Sequence, residues 1–229
     1  MNLSKEQVRK AAEKAICEKS LYHFVRLGWK HVDPAEFVDD WHIKVVCDEL
    51  QKLWESETLR LIINIPPRCL KSTICSVFFP VWCWIQNPST KMLTGSYAQS
   101  LATRDTTKSR NLIKSNWFQE LWGNSFAFST DQNQKTYYKN SENGERISFS
   151  VGGALTGAGG DIIIVDDPIN AMDSNSLVKR EHVNTWFSES LTTRLNDLST
   201  GRILVIMQRL HQQDLTGYLI GDRDWETKY

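Results

Sequence analysis

Two stretches carry residue types that could act on a phosphate together. The first, NIPPRCLKST from Asn64 to Thr73, lies between two apolar runs. A lysine placed directly after a buried strand, at the start of a helix, has free N–H groups and the positive end of a helix dipole behind it, which suits phosphate oxygens. In the loop pattern G-x-x-x-x-G-K-[ST] the lysine reaches the β- and γ-phosphates and the next hydroxyl binds Mg²⁺, the places taken here by Lys71 and Ser72. Arg68 adds a bidentate phosphate donor. Both glycines of the pattern are missing. Pro66 and Pro67 have no N–H, so a cradle has to come from the amides of Arg68, Cys69, Leu70, Lys71, Ser72 and Thr73. Leu70 stands where the second glycine belongs; if that position keeps φ > 0, a leucine there costs on the order of 1–3 kcal/mol. Read in isolation, Lys-Ser after a Pro-Pro turn is more often a plain helix start.

The second stretch is DIIIVDDP, Asp161 to Pro168. Four apolar residues place Asp166 at the carboxyl end of a buried strand, where a phosphate-binding enzyme needs a metal-side acid, and Asp167 follows as general base or water-orienting group. A paired acid after a strand also serves simply to cap the following turn. Gln208 ends a third apolar run, RILVIMQ, where a polar side chain either contacts the γ-phosphate and attacking water or is a surface glutamine. Arg194 and Arg209, near helix and strand ends, either sense phosphate on that side or form structural ion pairs.

The elements that must position these groups are legible in outline. Ser4 and Gln7 form a capping-box start for a helix running to about Leu27, and a second helix covers WHIKVVCDELQKLW. From Leu59 the texture changes: the strand RLIINI, the buried helix KSTICSVFFPVWCWI, the strand TKMLTGSYA and the basic amphipathic helix QSLATRDTTKSRNLIKS follow in turn. KTYYKN and ERISFSVGG flank Asn143-Gly144 as a β-hairpin. Then come the strand DIIIVDD, a helix from about Ser174 to Leu195, the strand RILVIMQ and a short helix near DLTGYLIG. Strands without polar alternation, separated by helices, belong to a mostly parallel sheet covered on both faces, so the class is α/β. Residues 1–58 read as a helical segment and 59–229 as one α/β core; the end, DWETKY, lacks a stop signal, as in a fragment or one half of something larger.

Composition narrows the classes. The chain has 229 residues and zero net charge, so a bulk basic field for nucleic acid is excluded and any such contact has to be local. Five scattered cysteines without a C-x-x-C pair read as reduced core thiols of a cytosolic protein, with neither a disulfide framework nor a zinc site. The most apolar window is thirteen residues, short of a membrane span. The basic helix after SYAQS, with Arg104, Lys108, Arg110 and Lys114, reads as a solvated face before a phosphate-backbone contact. Trp82 and Trp84 read as core.

NIPPRCLKST, SYAQSLATRD, SVGGALTGAGGDIIIVDDPI, WFSESLTTRLND and ILVIMQRLHQQDLTGYL, in this order and spacing, resemble the ATPase domain of the large terminase subunit of tailed double-stranded DNA phages and prophages. The match runs from about Phe37 to the C-terminus, and one branch of the family reads P-P-R-x-L-K-S at its phosphate loop. The resemblance implies an additional-strand P-loop ATPase fold. It implies ATP and Mg²⁺ as cofactors, with ATP hydrolysis pulling double-stranded DNA through a portal protein into a procapsid, alongside a small terminase subunit and in a ring of copies in the host cytoplasm. By the same resemblance Arg68, Lys71, Ser72 and Thr73 are Walker A residues, and Asp166 and Asp167 the metal acid and catalytic carboxylate. Gln208 falls in the coupling motif, and Trp41 and His42 form the adenine-side wall. Family members continue into a nuclease domain, which this chain lacks, so no cleavage chemistry is assigned. The segment TGAGGD usually carries an arginine where Ala158 stands, a candidate trans-acting finger. The alternatives are a helicase-type P-loop ATPase and a nucleotide-binding packaging module without turnover. Cys69, in an electropositive loop, is expected to react with thiol reagents and to be protected by ATP.

Overall fold

The computed structural model describes residues 4–153, 157–220 and 225–228; Ala154, Leu155 and Thr156 of the glycine-rich segment, residues 221–224 and the chain ends lie outside it. Helices α1 (Lys5–Lys19), α2 (Leu21–Gly28) and α3 (Trp41–Trp54) precede strand β1 (Arg60–Asn64). A π-helical turn, Thr73–Phe78, continues into α4 (Phe79–Gln86), followed by β2 (Lys91–Ser96), α5 (Gln99–Lys114) and α6 (Asn116–Trp122). Then come β3 (Phe128–Asn133), β4 (Tyr137–Asn140), β5 (Glu145–Ser150), β6 (Ile162–Asp166), α7 (Leu177–Thr185), β7 (Arg202–Met207), α8 (Leu215–Leu219) and β8 (Glu226–Lys228).

The strands form one sheet in the order β3-β4-β5-β2-β6-β7-β1-β8. Every pairing from β5 to β8 is parallel, and only β3 and β4 run antiparallel to their neighbours. The inserted position of β7, between β1 and β6, is the additional-strand arrangement the resemblance implies. Register aligns Asn64 with Met207, Asp166 with Ile206 and Ser96 with Asp166, so the carboxyl ends of the four central strands share one edge.

Successive strand residues point to opposite faces, and each face has its own core. Leu61, Ile63, Ile162, Ile164, Leu204 and Ile206 pack beneath α1–α6, with Phe24, Leu50, Phe78, Trp82 and Trp84. Ile62, Ile163, Val165, Ile203, Val205 and Met207 pack against Val183, Phe187, Leu191, Leu215 and Leu219. This accounts for the unalternating apolar runs: both faces are buried. Trp82 and Trp84 are core, and their indole N–H groups donate to the carbonyls of Cys17 and Thr90.

Three local features depart from the sequence reading. The first helical run is two helices, because Ser20 is extended (φ −143°, ψ 117°): its N–H closes α1 on the Ile16 carbonyl, and its hydroxyl accepts the His23 amide to open α2. The helix after the loop contains a π turn with a specific cause. Pro80 has no N–H, so the Ser76 carbonyl lacks its α-helical donor. Arg146 Nη2 donates to that carbonyl at 2.7 Å and Ser109 Oγ at 3.3 Å. That single Ser109 hydroxyl hydrogen is shared with the nearer Val77 carbonyl, 3.0 Å away. Finally, β3 and β8 extend the sheet at its two edges, beyond the strands anticipated. Among the described residues no helix is long and apolar enough to cross a membrane.

Candidate functional site

The loop from Ile65 to Ser72 leaves the end of β1 and turns into the π-helical segment with two non-glycine residues in the left-handed region, Arg68 at φ 68° and Leu70 at φ 60°. Leu70 thus occupies the backbone state expected of the missing glycine, with its side chain packed partly into the core, while Arg68 is exposed. Among the described residues no amide from Arg68 to Thr73 donates to a turn, loop or side-chain acceptor; the first such bond is Ile74 N–H to Leu70 O, 2.9 Å. The first amides of a helix have no partner within it and are the donors an anion can take up.

Lys71 and the two aspartates meet. Lys71 Nζ hydrogen-bonds Asp167 Oδ2 and lies 3.9 Å from Asp166 Oδ1. The Lys71 and Asp166 side chains are 11% and 7% exposed, so the pairing is shielded from water. Asp166 Oδ2 accepts from Ser76 Oγ at 3.0 Å, and the Ser72 hydroxyl lies near enough to favour the ionised Asp166 carboxyl. Burial pushes the Asp166 carboxyl up to about 6; the charge of Lys71 opposes this, the charge of Asp167 adds to it and the Ser72 hydroxyl opposes it. Burial works against the Lys71 ammonium, but the Asp166 charge and the Asp167 hydrogen bond outweigh it and raise its pKa. Asp167 is itself left-handed, φ 46°. Its main chain is tied on both sides, N–H to Ile206 O at 2.8 Å and carbonyl to Tyr97 N–H at 3.0 Å, which turns the carboxylate toward Lys71.

Asp166 Oδ1 is buried and has no hydrogen-bond partner, with the Ser72 hydroxyl beside the same carboxyl. One hard carboxylate oxygen and one hydroxyl fit a Mg²⁺ ion that keeps its remaining positions for waters and phosphate oxygens. Among the described residues there is no cluster of three or more His, Cys, Asp or Glu side chains, so an all-protein cage is not what these residues form.

Two clefts flank the loop. One, of ≈ 320 Å³, is lined by Trp41, His42, Val45, Asn64, Pro66 and Cys69 among others. The other, of ≈ 510 Å³, takes in Trp29, His42, Arg68, Cys69, Leu70 and Thr73. Trp41 and His42 open α3, Trp41 lining the first cleft and His42 both; Trp41 is 74% exposed, and His42 Nδ1 lies 3.3 Å from Asp40. Cys69 is half-buried and borders both clefts, whereas Cys17, Cys47, Cys75 and Cys83 are buried.

The remaining expected residues divide between the two ends of the sheet. Gln208 follows β7 at the Lys71 edge, and the contact it makes is through its backbone, N–H to Asp167 Oδ1 at 3.4 Å, rather than its side chain. Arg209, at the same edge, is tied to Asp214. Arg194 is not on that edge: its carbonyl accepts the Gly160 amide at 2.9 Å, before the start of β6 and therefore at the opposite end of the strands. Ala158 also precedes β6 and packs partly against the second core, away from the strand ends that carry Asp166 and Asp167. The basic residues of α5 are largely engaged: Arg104 with Asp105, Arg110 with the Asn133 carbonyl and Lys114 over the Phe128 ring. Ser76 and Asp214 were not anticipated. Ser76 could have been found from its spacing, one helical turn beyond Ser72 on the same face, and Asp214 from its place three residues before Gly217 at a helix start.

No family model and no curated protein matches the chain. Among solved structures, the HK97 bacteriophage large terminase superposes with a TM-score of 0.54 at 14% identity, covering 90% of this chain and 40% of that one. The ATPase domain of the Thermus phage P74-26 large terminase, in the form of a point mutant, superposes with a TM-score of 0.52 at 15% identity, covering 78% of each chain. This chain therefore spans well under half the length of the HK97 terminase. At such identities the likeness is one of architecture: the chain shares the fold of large-terminase ATPase domains.

Proposed function

We propose that this chain is the ATP-hydrolysing motor domain of a phage-type large terminase, driving double-stranded DNA through a portal protein into a procapsid. The observation that carries the reading is the meeting of Lys71, from the loop after β1, with Asp166 and Asp167, from the end of β6, across the inserted strand β7. That is the constellation phosphoryl transfer to water demands: a cation and free amides for the phosphates, a metal-side acid and a group to orient the attacking water.

In this reading the amides of Arg68–Thr73 and the guanidinium of Arg68 cradle the phosphates, and Trp41 and His42 wall the adenine. Asp166 and Ser72 would hold Mg²⁺, which when bound would supply neutralisation of phosphate charge. Lys71 has two competing partners. A triphosphate draws its ammonium away from Asp167, and Asp167 Oδ2 then becomes free to accept a proton from water while Oδ1 stays on the Gln208 amide. The base is thus released by the substrate it serves. Double-stranded DNA, a portal protein, a small terminase subunit and a ring of copies are the partners of this role, and host cytoplasm its place. The inter-subunit arginine of such a ring is not supplied at Ala158.

The test is ATP binding and hydrolysis by wild type, Lys71→Ala and Asp167→Asn. Lys71→Ala is expected to lose binding or turnover; Asp167→Asn is expected to bind ATP and lose the chemical step. Turnover stimulated by portal-bearing procapsids and DNA separates the packaging motor from a helicase-type ATPase, which would unwind strands without them. Binding without hydrolysis under every condition would identify a nucleotide-dependent assembly module instead.

A further inference from the structure

We infer that Asp214 is a positioning residue for hydrolysis: it fixes the loop after β7 and, through the Gln208 amide, the orientation of the Asp167 carboxylate. The inference rests on the functional reading above. Asp214 is 1% exposed and opens the short helix α8. One oxygen does what a helix cap needs, Oδ1 accepting the Gly217 amide at 3.0 Å. The other is engaged outside the helix: Oδ2 accepts from the Leu210 amide at 3.0 Å and from the His211 amide at 3.3 Å, while Arg209 Nε lies across the carboxylate, 3.1 Å from each oxygen. Those three residues directly follow Gln208, whose amide reaches Asp167 Oδ1. Arg209 Nη2 in turn donates to the carbonyls of His211 and Gln212, closing the loop on itself.

The same helix is fastened to the phosphate loop. Thr216 Oγ1 and Asn64 Oδ1 are 3.0 Å apart, both residues buried, and Asn64 is the last residue of β1. One turn of helix thereby joins the two chain segments that deliver Lys71 and the contact to Asp167. A carboxylate is specifically required at position 214, because N–H donors face both of its oxygens, and an amide nitrogen in place of either oxygen would meet them with hydrogens. The bland alternative, that Asp214 is only an N-cap, makes a different prediction, since Asn and Ser cap helices about as well as Asp.

Asp214→Asn and Asp214→Ser therefore leave one acceptor oxygen for the cap and the loop anchor together, and neither can hold both as the carboxylate does. Measured on the full chain with Mg·ATP, both are expected to lower kcat by about ten- to a hundredfold, as small misplacements of catalytic groups do, with KM and nucleotide Kd within about twofold. On the residual turnover of an Asp167→Asn background the second substitution is expected to add less than about twofold, because Asp214 acts through Asp167. Amide hydrogen exchange at residues 208–211 is expected to quicken in both single variants. Folded variants with wild-type kcat, or a loss in the Asp167→Asn background as large as in wild type, would overturn the inference while leaving the functional reading intact. A wild-type chain that neither binds nor hydrolyses ATP, with DNA and procapsids present, overturns both. If Asp214→Asn does not fold, the same readouts are taken from Asp214→Ser, whose hydroxyl adds no amide hydrogens against the loop.

Discussion

Arg68 offers a direct test of the loop's backbone chemistry, because its side chain and its main chain make separable demands. Its φ of 68° is one an L-residue adopts at a cost of about 1–2 kcal/mol. The side chain is exposed and, among the described residues, joins no ion pair, so removing it sacrifices no visible folding contact. Arg68→Gly relieves the left-handed strain and adds about 0.5–1 kcal/mol of unfolded-chain entropy, leaving a net gain of roughly 0.5–1 kcal/mol. For a chain of this length that is a rise in Tm of about 1–4 °C. Arg68→Ala keeps a Cβ and therefore keeps the strain, so its Tm is expected to stay within about 1 °C of wild type.

Nucleotide affinity should behave in the opposite way. Both substitutions remove the same guanidinium, and loss of a charge-assisted phosphate contact of about 1.5–3 kcal/mol weakens ATP binding by about tenfold or more in each. The assay is thermal unfolding without nucleotide, followed by ATP titration, on the three proteins side by side. Gly and Ala variants that melt together would refute the left-handed loop. A Gly variant that binds ATP as wild type does would remove Arg68 from the site.

Further expectations follow from burial and charge. A thiol reagent should modify Cys69 in the folded protein and spare the four buried cysteines; saturating Mg·ATP should slow that reaction, and an unchanged rate would separate the loop from the nucleotide. Asp166 holds its proton up to about pH 6 in the native state against an ordinary carboxylate value near 3.8. Between those values the native state keeps a proton the unfolded chain has released, so its contribution to stability falls as pH rises through that window and stays lost above it. In chelator, the stability difference between Asp166→Asn and wild type should accordingly grow in favour of the variant by on the order of 2–3 kcal/mol from pH 4 to pH 6, and a flat difference would mean an ordinary carboxyl. Ser109→Ala, which removes a donor to the carbonyls freed at the π turn, should cost about 1 kcal/mol in denaturant unfolding; no loss would mean that Arg146 alone holds that turn.

What the chain discloses about itself follows how each feature is encoded. The central strands are legible because burial on both faces leaves only apolar residues, as in Ile162–Val165 and Ile203–Ile206. Their edge partners are not: β3 is Phe-Ser-Thr-Asp-Gln-Asn and half-exposed, and β8 is held by pairing to β1 rather than by its own composition. The break at Ser20 is masked because Cys17, Leu21 and Phe24 continue a helical spacing across it, while the π turn is announced only by what Pro80 lacks. At the site, residue types mislead where backbone geometry decides. Arg68 and Leu70 fill left-handed positions that a pattern reserves for glycine, so the loop is found by its place between strand and helix and not by its letters. For the same reason Gln208 was legible as a position but not as an atom, since the group that meets Asp167 is an amide any residue but proline would carry. Sequence reading reaches side chains whose chemistry is unusual, Lys71, Asp166 and Asp167; around them stand ordinary main-chain donors held by Asp214 and a Thr216–Asn64 side-chain bond, and only three-dimensional contact distinguishes those from any other helix cap.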